Sequence, residues 1–475
     1  MLRIASNKSN LRVIRASING SRDLVSAKPI LPQNAKLLAW GIFLIFFFEN
    51  EALGILPQDL VFIYRNVRVS DFLLYALTIY SIFCSKEYLD LFRSKSFVIV
   101  KYMLLFFIFE FFISSIVYKV NIIEYFFRLK ILWMSMLVLP YMLLLRRGGV
   151  GYLIKLILPV AIISNIFYIL SATTGVALLP NMDIVKQDLP GGLKVYRVYG
   201  GTFFGEIFFL GFIFNWNETK LKFTQIPLAI LFIVPHILAF GRNAWVFLSF
   251  AIVFIIFWSS FKKRNFRTLL RQVIIILVFG LVFKYFFTQV LPESEKLTSA
   301  IDARIEQGQE DAKYGEGTFG TRLANIKALI DVWYQNPVFG IGMHPLWVIK
   351  PLTAEESIIA WGFSDIKWAS ILAAYGIVGF AFAISFQLYY IFLTFRLLIK
   401  ISDINLNYFF LLLFLIILLY DSLINYAYML TSVNLLGLGY MISFYVANVV
   451  LLYEKEKIKN KIQKNAQLPL QKIPQ

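Results

Sequence analysis

The stretch TQIPLAILFIVPHILAFGRNAWVFLSFAIVFIIFWSSFKKRNFR, residues 224–267, decides the fold. Two apolar runs, 224–240 and 243–261, meet at Gly241-Arg242, and the second ends in Lys262, Lys263, Arg264 and Arg267. Each run approaches the roughly 20 apolar residues that a helix needs to cross a hydrocarbon core. In lipid, backbone polar groups must be satisfied within the segment, so the two runs read as adjacent spanning helices. The basic cluster behind the second run marks its cytoplasmic end by the positive-inside rule.

Working outward, the same reading applies to most of the chain. Candidate spans fall at 36–56, 69–85, 97–117, 122–145, 150–172, 198–215, 224–240, 243–261, 272–290, 366–392, 407–427 and 431–453. That is about twelve helices by the length criterion. The first is interrupted by Glu49 and Glu51. Basic residues recur in alternate gaps, at Lys86/Arg93/Lys95, Arg146/Arg147, Lys220/Lys222, Lys262–Arg271 and Arg396/Lys400, and again in the tail from Lys455 to Lys472. An even number of spans puts all of them, and both termini, on the cytoplasmic side.

Composition agrees. The 475 residues are 59% hydrophobic and only 16% charged, where a soluble domain carries about 25% charged residues. Mean hydropathy is +0.71. A net charge of +18 would suggest nucleic acid in a soluble protein, but here the basic residues sit between apolar runs and describe topology instead. Cys84 is the single cysteine, so no disulfide forms within the chain. The expected organisation is all-α: a basic cytoplasmic tail at 1–35, nine spans in 36–290, an extracytoplasmic loop at 291–365, three spans in 366–453, and a second basic tail at 454–475.

The loop 291–365 is the one connection large enough to hold structure of its own. Residues 298–314 are polar and helix-like. A Gly-rich hinge, Gly315–Gly320, precedes an amphipathic helix expected from Thr321, whose apolar stripe is Leu323, Ile326, Ile330 and Trp333. Asn336-Pro337 ends it. Arg322 would lie in the first turn, where a cation opposes the helix dipole. A bound phosphate would resolve that conflict; lipid headgroups would serve as well. Asn325 follows one turn later on the polar side.

Other candidates lie at helix ends on the same side. Arg242 would stand at headgroup level beside small Gly241 and Ala244, suited to a diphosphate or to snorkelling. Arg197 precedes Tyr199-Gly200-Gly201. Glu206 and Glu110 fall inside apolar runs, where a carboxylate is expensive unless paired, so contacts between helices are the leading reading for both. Asp365 opens the tenth span, with Lys367 nearby. Asp365 can cap that helix, take a proton from an attacking hydroxyl, or do both. Ala369, Ala373, Gly376, Gly379 and Ala383 give that span a small-residue face for close packing. The two histidines, His236 and His344, and the one cysteine make no zinc site. His344 remains a secondary candidate after Gly340-Ile341-Gly342. Nucleotide-binding glycine patterns are absent, and no cofactor or metal is expected.

These motifs, in this order, resemble the O-antigen polymerase and O-antigen ligase superfamily of bacterial membrane proteins. The resemblance rests on Arg197-Val-Tyr-Gly-Gly-Thr-Phe, on Gly241-Arg242-Asn-Ala-Trp, on Arg322-Leu-Ala-Asn-Ile-Lys-Ala-Leu-Ile-Asp-Val-Trp with Asn336-Pro337-Val-Phe-Gly340-Ile-Gly342, and on Gly376-Ile-Val-Gly379. It implies a bacterial inner-membrane enzyme that moves a glycan from an undecaprenyl-diphosphate carrier by metal-independent, inverting transfer at the outer face. Arg242, Arg322 and Arg197 would hold the diphosphate, with Arg322 also stabilising the leaving charge and Asp365 acting as base. Membrane lipid, a chain-length regulator and a flippase are the implied partners, with no nucleic acid. Ligases of this superfamily carry a His-Asn-type pair where this chain has Asp365-Ile366; nine residues separate that pair from Gly376, as in the ligase pattern. The departure favours a polymerase over a ligase, and a flippase or transporter is the reading from another class. Arg304 and Gly315 also match a loop spacing described for some polymerases.

Overall fold

The computed structural model describes residues 33–49, 56, 61–64, 67–83, 91–118, 137–179, 183–189, 193–199, 205–218, 225–238, 242–263, 270, 273–274, 299, 302–303, 305–307, 309–310, 313–314, 317–341, 367–423 and 436–467. The expected span at 272–290 apart from 273–274, together with Asp365, His344, Arg304, Gly315 and the terminal stretches up to 32 and from 468, lies outside the described residues.

Helices dominate, as the apolar runs require. In chain order they are α1 (Gln33–Glu49), α2 (Val69–Phe83), α3 (Val98–Tyr118), α4 (Val138–Arg146), α5 (Val150–Thr174), α6 (Gly205–Glu218), α7 (Ile226–Leu238), α8 (Arg242–Lys263), α9 (Gly317–Gln335), α10 (Lys367–Lys400), α11 (Leu406–Leu423) and α12 (Leu436–Gln467). Among the described residues, Val150–Thr174, Ala244–Lys262 and Trp368–Lys400 are long and apolar enough to cross a membrane. Their outward faces are apolar too: Val253 is 66% exposed and Phe392 65%. In water such a surface would cost heavily; against lipid tails it costs nothing.

Two antiparallel hairpins interrupt the helices: β1 (Phe62–Tyr64) with β2 (Val67–Arg68), and β3 (Asp183–Leu189) with β4 (Leu193–Tyr199). The second corrects two expectations. Residues 198–199 belong to a strand, and the sixth helix starts at Gly205. Val185, Val195 and Val198 favour extended backbone, and the sequence between the two strands, Pro190-Gly191-Gly192, consists of turn-favouring residues. The hairpin is seated on α5, where Tyr168 Oη donates to Val198 O at 3.1 Å. Gly175 caps α5 in the left-handed region (φ +69°), with its N–H on Ser171 O at 2.9 Å. A Cβ on Gly175 would stand 2.6 Å from the Tyr196 ring.

Both hairpins emerge at one end of the bundle. A Cβ on Gly149, just before α5, would lie 3.5 Å from the Cβ of Ala35 in α1, so these helices start side by side and run parallel. The opposite end is basic. There Lys262 Nζ donates to Leu398, Ile399 and Ile401 carbonyls at 2.9, 2.8 and 2.8 Å, capping the C-terminus of α10. Tyr389 and Tyr390 hydroxyls donate to Lys95 and Ser96 carbonyls, and Ser94 Oγ donates to Glu454 Oε1 at 2.6 Å. α12 runs on to Gln467, past the expected end of the last span; the Glu/Lys-rich sequence keeps strong helix formers beyond the apolar run.

Glu49, the last described residue of α1, is buried, and its burial has a reason. Ser70 Oγ donates to Glu49 Oε2 at 2.5 Å, and Arg68 Nη1 stands 3.6 Å from Oε1 and also donates to the Glu49 carbonyl. A buried carboxylate persists when paired and hydrogen-bonded in this way.

Candidate functional site

Helix α9 starts at Gly317, not Thr321, so most of the expected hinge forms its first turn. Arg322 therefore lies in the second turn, and the dipole conflict, which fades beyond the first turn, is weaker than the sequence suggested. The buried stripe is also rotated. Asn325, Leu329 and Val332 are buried, Leu323 is exposed, and Ile326, Ile330 and Trp333 are half-buried. The cause is the partner surface: Leu329 and Val332 pack on Ala369 and Ala373 of α10. Arg322 precedes Asn325 and Leu329 at helical spacing. It is half-buried on the docked side.

The segment after α9 locks onto α10 by backbone alone. α10 is broken at Gly376 (φ +61°, ψ −164°), a conformation that suits glycine. The break frees N–H groups at the start of its second half. Ile377 N–H donates to Pro337 O at 2.9 Å and Val378 N–H to Val338 O at 3.3 Å, while Ile341 N–H returns a bond to Ala373 O at 2.9 Å. Gly340 (φ +73°) lies against α10 so closely that a Cβ would stand 2.4 Å from Ala374 C and O; one on Gly376 would stand 2.2 Å from Val338 O. Trp333 Nε1 donates to Pro337 O at 2.9 Å and closes the turn. The small residues of α10 thus serve a clasp with the loop helix, more specific than the helix-packing face expected. Gly379 faces inward as well, with Phe106 of α3 3.3 Å from where its Cβ would be.

A second group gathers where α5, α6, α7 and α8 meet near the β3–β4 hairpin. Glu206 is in the first turn of α6, and its Oε1 stands 3.3 Å from His236 Nδ1 near the end of α7. The imidazole is buried and the carboxylate is about one third exposed. Trp245 Nε1 donates to His236 O at 2.9 Å, tying α7 to α8. Asn165 of α5, fully buried, donates through Nδ2 to Ala161 O at 2.7 Å. A Cβ on Gly205 would meet His236 Nε2 at 2.9 Å, Phe232 O at 3.1 Å and Asn165 Oδ1 at 3.2 Å, so three polar atoms converge on the bare Gly205 Cα. Beneath the pair, Ile207, Phe208 and Phe232 line the start of an apolar cavity of about 490 Å³.

Arg242 is the first residue of α8, beside this group, and Arg197 pairs with Val185 across the β3–β4 ladder. Their side chains, and that of Glu110 in α3, lie outside the described residues. Sequence alone flagged Glu206 and gave His236 no part in a site. The signal for joining them was present: each sits within a turn of a helix end that the topology places on the same side. Among the described residues no group of His, Cys, Asp and Glu is arranged to hold a metal ion.

Residues 227–384 match the family described as O-antigen ligase. The match spans Arg242, the α9 helix and the Gly376 break, and it bears out the resemblance to the O-antigen ligase and polymerase superfamily. Arg197 and Glu206 fall outside it. No curated protein matches the chain.

Proposed function

Starting from that family match, we propose that the protein is a polymerase of undecaprenyl-diphosphate-linked oligosaccharide repeat units, building an O-antigen, capsule or exopolysaccharide. In this reading about twelve spans cross the bacterial inner membrane with both termini cytoplasmic, and the hairpin end faces outward. The observation that carries the proposal is the clasp of α9 on the broken α10. It turns Arg322 and Asn325 towards the bundle at a helix end, where a guanidinium suits a lipid diphosphate and stabilises its charge as it leaves. Arg242 and Arg197 would add positive charge at the same end. Membrane lipid surrounds the site, and a chain-length regulator and a flippase would act beside it. No metal is needed for inverting transfer of this kind. A base must take the proton of the attacking hydroxyl; Asp365 is the candidate read from sequence.

The polymerase reading is favoured over a ligase by Asp365-Ile366, which stands where ligases of the superfamily carry a His-Asn-type pair. Arg322→Ala is expected to abolish long-chain polysaccharide while single lipid-linked units persist, seen by gel electrophoresis of the cell-surface glycan. Normal chain lengths would sink the assignment. A deletion strain that accumulates full-length polymer on the carrier would instead establish a ligase, the second reading.

A further inference from the structure

We propose that Glu206, paired with His236, is the group that takes the proton from the acceptor hydroxyl. The inference rests on the polymerase reading and deepens it by assigning the base to α6 and α7 rather than to Asp365.

Asn165 Nδ2 is committed to Ala161 O at 2.7 Å, which leaves Oδ1, an acceptor only, turned towards Gly205. Phe232 O, a second acceptor, borders the same space, and so does His236 Nε2. Among the described residues neither Asn165 Oδ1 nor His236 Nε2 makes a hydrogen bond, although both are buried. An imidazole nitrogen that shares the space around Gly205 with two acceptor oxygens is best served by carrying a hydrogen itself. With Nε2 protonated, Nδ1 presents its lone pair to Glu206 Oε1 at 3.3 Å. That contact is attractive only when a proton lies between the two groups. With the proton gone, a carboxylate and a lone pair face each other beside an apolar wall of Ile207, Phe208 and Phe232, where repulsion is poorly screened. The empty pair is therefore a strong proton acceptor, and Glu206 is its exposed member.

The step balances. The acceptor's O–H bond breaks and its proton goes to Glu206. The oxygen forms a bond to the anomeric carbon of the donor sugar. The bond from that carbon to the diphosphate oxygen breaks, and its electron pair leaves with the lipid diphosphate. The pair then returns its proton to the departing diphosphate. His236 is a positioning residue: it touches Glu206 and shares the proton without touching the sugar. Gly205 is bare because a methyl group would intrude among the three polar atoms.

Two measurements test this on the full-length protein in nanodiscs, with lipid-linked repeat units extracted from a strain lacking the gene. First, polymer formed per unit time is measured at matched protein amounts. Glu206→Gln is expected to lower kcat at least about a hundredfold with KM for the lipid-linked unit little changed, and His236→Asn, which keeps a hydrogen bond to Glu206 but cannot carry the proton, to lower it about tenfold. Full activity in Glu206→Gln or His236→Asn overturns the proposal, as does abolition by Asp365→Asn with Glu206→Gln unimpaired. Second, the chain has two histidines, so ¹⁵N-histidine NMR in a His344→Gln background reports on His236 alone. A hydrogen on Nε2, with the Nδ1 signal shifting in Glu206→Gln, is expected. A plain Nδ1–H tautomer indifferent to Glu206→Gln overturns the proposal without any activity measurement. Normal polymer in Arg322→Ala defeats the polymerase site instead, so the two failures are distinguishable.

Discussion

The clasp between α9 and α10 and the polar group between α5, α6 and α7 lie at helix ends, and they are built on opposite principles. In the clasp, backbone bonds to backbone. Three hydrogen bonds cross between 337–341 and 373–378, and glycine is needed at 340 and 376 because no side chain fits. In the polar group side chains make the contacts, Glu206 with His236 and Trp245 and Asn165 with backbone carbonyls, and buried polar atoms remain that find no partner among the described residues. The first arrangement can do little chemistry and fixes position. The second is costly to bury, and such a cost is retained where polar atoms serve a purpose. Arg322 is held by the first; proton handling is assigned to the second.

The sharpest way to break this comparison is Gly376→Ala. The left-handed backbone alone costs about 1–3 kcal/mol, and the methyl would collide with Val338 O at 2.2 Å, a backbone atom with little room to move. Loss of the clasp is expected, with limited proteolysis now cutting between 336 and 341 and polymer formation abolished. Resistance to protease equal to the parent protein would show that the clasp is not what holds the loop helix.

Gly205→Ala should have a smaller effect. Its Cβ would crowd His236 Nε2 at 2.9 Å, the end of a side chain that can shift, and Phe232 O at 3.1 Å. Destabilisation of about 1–2 kcal/mol is expected, read as a lower Tm, with the His236 NMR signal displaced and the clasp still protease-resistant. An unchanged His236 signal would mean that the polar group is looser than its geometry suggests.

The mildest change is a control at the opposite end of the bundle. Lys262→Met removes three hydrogen bonds to the C-terminal carbonyls of α10. A loss of about 1–2 kcal/mol in stability is expected, with the rate of polymer formation per folded molecule unaltered. A changed rate would couple the basic end to the site and undo the separation drawn here.

Much of this was legible beforehand. The helices followed from apolar runs, and the small residues of α10 followed from spacing. Arg322 was singled out correctly as a helical arginine, but its helix began earlier and its buried face was turned, because the alanine surface of α10, not the hydrophobicity of α9 alone, selects the stripe. The β3–β4 hairpin falls between the expected spans at 150–172 and 198–215 and was not foreseen, although Val185, Val195 and Val198 flank Pro190-Gly191-Gly192 in the sequence.

By itself, then, the sequence determined that this is a helical membrane protein with its cations between apolar runs, because the cost of polar backbone and charge in lipid acts residue by residue. Only the tertiary structure decided that α10 breaks at Gly376 to receive the loop, and that Glu206 meets His236. Those outcomes depend on which surfaces approach closely enough for a missing Cβ or a 3.3 Å contact to matter, and no local pattern in the chain encodes that distance.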